Sequence, residues 1–243
     1  MKGIFEMKNK TILIQGAMDI EVEYFISQLE KKEKHIIAEY EFYTGYIHAQ
    51  KIIISKTLVG VINATTATTI GIIAFHPDIV INQGIAGAHR SSIHIGDIII
   101  GEKCCNINAY SMPTKQEGHS SNPFEWEPNK RAKDIQLGDK ALINTFKDFF
   151  ESNYDKTIYV GTLGSGDVFN REFDRISWLQ NQFNHLCEDM ESIGTYSVCN
   201  RFQVPCIGIR IISNNELTNE QLDKEQAIVL QKFLIDFLQN KSL

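Results

Sequence analysis

Short runs of apolar, largely β-branched residues set what this 243-residue chain can fold into. Thr11-Ile12-Leu13-Ile14-Gln15 is the first, and its unbroken apolar character marks a strand buried on both faces, as in a parallel sheet. Ile79 to Asn82, Ile98 to Ile100, Thr157 to Thr162 and Pro205 to Ile212 read as further core strands, and Glu39 to Ile47 and Gln50 to Ser55 as a pair joined near His48 and Ala49. Helical spacing fills the intervals. It covers Asp19 to Lys31, Val61 to Phe75, Ala141 to Phe150, Arg171 to Phe183, Ile193 to Phe202 and Leu222 to Leu238. The charged cluster Glu30 to Lys34 reads as the solvated end of the first helix. Strands that alternate with helices predict an α/β fold around a largely central sheet. With no internal repeat and no linker, residues 1–243 are expected to form a single domain.

Composition removes several classes of function. Hydrophobic content of 43% and charged content of 22% are those of an ordinary globular chain. A formal net charge of -6 argues against nucleic acid as a partner, because phosphate binding needs clustered Lys and Arg. The five cysteines, Cys104, Cys105, Cys187, Cys199 and Cys206, are odd in number and form no Cys-x-x-Cys pair. Buried thiols are expected, not disulfides or a zinc site. Met1 to Lys10 lacks the apolar core of a signal peptide, and no segment reaches the ~20 apolar residues of a spanning helix, so a cytoplasmic protein without a membrane partner is expected.

Chemistry concentrates where strands end, the place where ligands collect in open α/β sheets. Four such ends carry suggestive groups: Gly16 to Glu21, Gly84 to Gly87, Asp189 to Glu191, and Ser213 to Asn214. Gln83-Gly84-Ile85-Ala86-Gly87-Ala88 reads as a turn of small residues that lets backbone amides approach a ligand. In Cys187-Glu188-Asp189-Met190-Glu191-Ser192, three acids surround one Met before a helix. Carboxylates there are costly unless solvated, paired or used; a plain helix N-terminus with Ser192 as its cap is the alternative. Cys105 to Lys133, rich in Pro, Ser and Asn, reads as a long loop. Its Phe124 and Trp126 either line a pocket, cover a subunit contact or pack the loop itself.

Taken in order, these motifs resemble the nucleoside phosphorylase and nucleosidase superfamily, and most nearly its methylthioadenosine/S-adenosylhomocysteine nucleosidases. The resemblance rests on Gly16-Ala17-Met18-Asp19-Ile20-Glu21, on His76 to Gly87, on Ile95-Gly96-Asp97-Ile98, on Ser165-Gly166-Asp167-Val168-Phe169, on Asp189-Met190-Glu191-Ser192 and on Arg210-Ile211-Ile212-Ser213-Asn214. It implies a three-layer α/β/α sandwich with a central mixed sheet, a homodimer, no metal and no cofactor, acting on a purine nucleoside. It further implies that Glu21 activates water, that Glu191 holds ribose hydroxyls with Met190 packed on the sugar, and that Phe169 stacks on the base. Ala86 and Gly87 would lie beside sugar and base, Asp189 in the same substrate-binding group, and Ser213 and Asn214 at the leaving base.

Two residues depart from that pattern. Ile85 stands where Ser is common and has no side-chain donor for phosphate, which together with Asp19 and Glu21 favours water over phosphate as nucleophile. Asn214 stands where adenine-cleaving members have Asp, and an amide has no titratable proton to give. Three accounts follow: a 6-oxopurine base, a proton supplied by Glu216 or a water, or a site that binds nucleosides and turns them over poorly.

Overall fold

In a computed structural model of the chain, residues 10–241 are described. Met1 to Lys10, expected to carry no signal peptide, lies outside them except for Lys10. In chain order the elements are β1 (Thr11–Gly16), α1 (Asp19–Gln28), β2 (Glu30–Ile37), β3 (Tyr40–Ile47), β4 (Gln50–Lys56), α2 (Val61–Phe75), β5 (Ile79–Ala88) and β6 (Ile98–Asn106). Then follow β7 (Tyr110–Ser111), β8 (Glu127–Pro128), β9 (Gln136–Leu137), α3 (Lys140–Asn153), β10 (Ile158–Ser165), α4 (Phe173–Phe183), β11 (Cys187–Asp189), α5 (Ser192–Phe202), β12 (Cys206–Asn215) and α6 (Gln226–Lys241).

A mixed sheet in the order β11-β10-β6-β12-β5-β1-β4-β3-β2 forms the middle layer, with β9 paired to β6. Successive residues of its inner strands enter opposite faces. Ile12, Ile14, Ile79, Ile81, Ile98 and Ile100 pack with Phe25 of α1, Phe146 of α3 and Phe237 of α6. Leu13, Val80 and Ile99 point the other way, onto Ile72 of α2 and Tyr196 of α5. This is the expected three-layer α/β/α arrangement. One feature goes beyond it: β11 also pairs antiparallel with the end of β5, so that β5, β12, β6, β10 and β11 close into a ring.

Two expectations about local structure are corrected. Glu30 to Lys34 does not end α1; it opens β2, the outermost strand, whose exposed charged residues suit an unpaired sheet edge. Gly84 to Gly87 is not a turn. It continues β5, because β12 pairs along it from Val80 to Ala88 and β11 takes Gly87 and Ala88 on the other side. The loop after Cys105 is irregular as expected, apart from β6 running on to Asn106, the short β7–β8 pairing and one 3-10 turn over Pro123–Glu125. All five cysteines are free and buried. Among the described residues, no helix is long and apolar enough to cross a membrane.

Candidate active site

The carboxyl ends of β1, β5, β11 and β12 meet at one open cleft of about 680 Å³, counted out to its mouth. It is lined by each of the nine residues singled out from the sequence: Glu21, Ala86, Gly87, Phe169, Asp189, Met190, Glu191, Ser213 and Asn214. Val59 and Leu222 give it apolar walls, and Lys224 stands at its rim.

Glu21 comes from the first turn of α1 and is buried. Its Oε2 accepts from Ala17 N at 2.7 Å and Met18 N at 3.0 Å, and its Oε1 accepts from Ile85 N at 3.0 Å. It therefore caps its own helix and faces the cleft as well; the two readings of an acid in a first turn are compatible here. Burial pushes its carboxyl above the ordinary 4.5, against the amide hydrogen bonds that favour the anion. Ile85 thus contributes its amide to Glu21, while its side chain lines the cleft.

Glu191 sits at the start of α5, half-buried. Its Oε1 accepts from Gly60 N at 3.0 Å, at the N-terminus of α2. Gly60 has φ of 105°, a left-handed-side conformation suited to glycine. Beside it, Asp167 Oδ1 accepts from Val61 N at 2.7 Å, so the Ser165 to Phe169 segment and Glu191 hold the same helix end. Burial pushes Glu191 up to about 7, Asp189 adding to the push and Arg210 opposing it.

Asp189 lines the cleft, but its oxygens are occupied by protein. Oδ1 accepts from Ser165 Oγ at 2.7 Å, Glu191 N at 3.0 Å and Ser192 N at 2.9 Å. Oδ2 accepts from Ser192 Oγ at 2.5 Å and pairs with Arg210 Nε at 3.1 Å. Asp189, not Ser192, therefore caps α5, and it fixes the backbone that carries Glu191. Arg210 is fully buried, bonds Asn82 O at 3.0 Å and Ser192 Oγ at 2.9 Å, and ties β12 to β5 and α5. In the sequence Arg210 stands only within a motif; its position on β12, reaching β5 and α5, gives it this anchoring role.

At the opposite end, Ser213 Oγ donates to Asn214 Oδ1 at 3.1 Å, which leaves Asn214 Nδ2 as a donor without a protein acceptor among the described residues. Glu216, considered above as a proton source, does not line the cleft; it pairs with Arg171 at 3.2 Å. Phe169 is 51% exposed at the mouth, with the Arg171 guanidinium 5.9 Å from its ring centre. Trp126 packs the loop: it stacks on Tyr110 at 4.8 Å, and its Nε1 donates to Ser121 Oγ at 2.6 Å. No residue of 105–133 lines the cleft. A lining carboxylate missed as an individual group is Glu188, which the sequence grouped with its acidic neighbours.

The family model of the phosphorylase superfamily matches residues 11–238 of this chain. Two curated relatives are named 5′-methylthioadenosine/S-adenosylhomocysteine nucleosidases. That of Bacillus licheniformis is 30% identical over 228 residues, 92% of this chain and 91% of the relative. That of Halalkalibacterium halodurans is 34% identical over 206 residues, 83% of this chain and 84% of the relative. The crystal structure of the Neisseria meningitidis enzyme of that name, in complex with methylthio-immucillin-A, superposes with a TM-score of 0.80 at 21% identity, covering 95% of this chain and 99% of that one, and so shares the fold. The chain belongs to the methylthioadenosine/S-adenosylhomocysteine nucleosidase family of the phosphorylase superfamily.

Proposed function

We propose that this chain hydrolyses the N-glycosidic bond of purine nucleosides of the methylthioadenosine/S-adenosylhomocysteine type, with Glu21 activating water and Glu191 holding the ribose. The observation that carries the reading is that Glu21 and Glu191, 170 positions apart in the sequence, line one cleft. Water attacks the anomeric carbon, its proton passes to the Glu21 carboxylate, and the bond to the base nitrogen breaks with its electron pair leaving on the base. Positive charge grows on the sugar as that bond stretches. A Glu191 carboxylate on the ribose hydroxyls then interacts more strongly than in the ground state, which is what lowers the barrier. Burial raises the basicity of Glu21 toward working pH, and general-base help of this kind is worth about 10²–10⁴-fold. Asp189 and Arg210 act as positioning residues for Glu191.

Phosphate finds few donors here. The Ile85 side chain offers none, and Arg90 is engaged by His185 O at 3.2 Å and Asn184 Oδ1 at 2.6 Å. Lys224 is the single basic residue among those lining the cleft. Asn214 favours a second reading, the same chemistry on an inosine- or futalosine-like nucleoside. A homodimer is part of the proposal and is tested by sedimentation equilibrium. The deciding experiment is a panel of methylthioadenosine, S-adenosylhomocysteine, adenosine, inosine and futalosine with phosphate varied. Base release independent of phosphate is expected; release only with phosphate, or none, rejects hydrolysis.

A further inference from the structure

Four carboxylates line the cleft, Glu21, Glu188, Asp189 and Glu191, against one basic residue, Lys224. The lysine is exposed, and its ammonium has no hydrogen-bond or ion-pair partner among the described residues. The acid beside it in the chain is engaged elsewhere: Asp223 Oδ1 accepts from Glu225 N at 3.0 Å and Oδ2 from Gln226 Nε2 at 2.8 Å, where α6 begins. Nor does a lysine serve the helix at that point, since a helix start favours acids.

The segment that carries Lys224 is tied to the strand ends. Asn215 and Glu220 exchange two backbone hydrogen bonds, at 3.0 and 2.9 Å, and Asp223 N donates to Ser213 O at 2.8 Å. Glu220 Oε1 meets His94 Nδ1 at 2.6 Å, and its Oε2 accepts from Ile95 N at 2.9 Å. Residues 216–223 thus leave β12 and return to it, which sets Leu222 and Lys224 at the cleft. With Glu21 at the water, Glu191 at the ribose hydroxyls, and Phe169, Ser213 and Asn214 at the base, the exposed lining left for a 5′ substituent is Val59, Leu222 and Lys224. Those are two apolar side chains and one cation. A substituent that matches them has an apolar stem and an anion at its end.

We propose that Lys224 binds an anion at the end of the 5′ substituent, so that the chain selects nucleosides whose 5′ thioether ends in a carboxylate over those ending in a methyl group. The proposal rests on the reading of this cleft as a nucleoside site and names the part of the substrate that its carboxylates do not hold. An anion close to the ring meets the like charges of Glu21, Asp189 and Glu191. The stem carries it past Val59 and Leu222 to the rim. The flexible side chain of a lysine suits an end group that the sugar does not fix. S-Adenosylhomocysteine carries such a carboxylate; methylthioadenosine carries none.

The test is calorimetric binding to the whole protein of ligands that share one base: 5′-(3-carboxypropylthio)-5′-deoxyadenosine, its neutral carboxamide, and adenosine 5′-phosphate, an anion without a stem. The acid should bind about three- to fivefold tighter than the amide, the size of an exposed charge pair, and the difference should fade at about 0.5 M salt. Adenosine 5′-phosphate should bind more weakly than the acid. Lys224→Gln should bring acid and amide level, and Lys224→Glu should put the acid below the amide; a merely structural role would weaken both equally. Acid and amide bound alike by the wild type, no binding of either, a preference that survives Lys224→Gln, or the phosphate bound as tightly as the acid overturns the proposal. If a variant is unfolded by circular dichroism, the wild-type difference and its loss in salt decide. Base release from the same acid and amide is measured alongside. Preference for the acid with no base released sinks hydrolysis and keeps the Lys224 assignment; base released equally from both does the reverse.

Discussion

Gly84 lies so close to Glu21 that a Cβ built on it would come 2.5 Å from Glu21 Oε1. The glycine is there for the carboxylate. Gly84→Ala is expected to push Glu21 off the Ile85 amide and to lower base release by about 10²–10⁴-fold, the range for loss of a general base. Steady-state kinetics on the best nucleoside of the panel reads this. A rate within a fewfold of wild type would remove Glu21 from the chemistry.

Glu191 should leave its mark on pH dependence. Acting as a carboxylate with its value raised to about 7, it makes kcat/KM fall as pH drops through that region, and Glu191→Gln should lose at least about tenfold in rate. The stability effect has the opposite sense. The folded chain binds more protons than the unfolded one between the ordinary 4.5 and about 7, so this group lowers stability as pH rises across that window. Glu188 titrates in the same window, so Glu191→Gln should reduce that slope without abolishing it. Denaturant titrations at several pH values would show it; an unchanged slope refutes the assignment.

Asn214→Asp introduces a titratable proton where the proposed reaction releases its base. It is expected to raise turnover of adenine nucleosides by tenfold or more, within the range for acid catalysis of about 10²–10⁴. Release of adenine followed at neutral pH checks this, and no gain would remove the argument about the leaving group.

Arg210 is buried among Asp189, Asn82 and Ser192. Arg210→Leu leaves Asp189 as an uncompensated buried charge and should cost about 3–5 kcal/mol of unfolding free energy. A loss below about 1 kcal/mol in urea would mean that the pair holds neither β12 nor α5.

Much of this was readable from residue order, and the exceptions share a cause. The inner strands announced themselves because both their faces are apolar. The extent of β5 did not, because Gly84 and Gly87 look like turn residues when their purpose is to admit Glu21 and Asn214 from neighbouring elements. β2 was hidden by Lys and Glu on a solvent-facing edge. Glu188 was masked by its acidic neighbours. Only its pairing opposite Gly87 separates it from Asp189, whose side chain goes to Arg210. Local pattern carries periodicity; it does not carry which strands become neighbours.

Closure of β11 onto β5 divides the cleft into two independently supported ends. The end that holds Glu191 rests on Asp189, Arg210 and the start of α5, deep in the protein. The end that holds Asn214 rests on β12 where it pairs with Gly87 of β5, itself paired with Glu188 of the three-residue β11. Substitution at Asn214 can therefore change one end of the cleft while the supports of Glu191 at the other stay as they are.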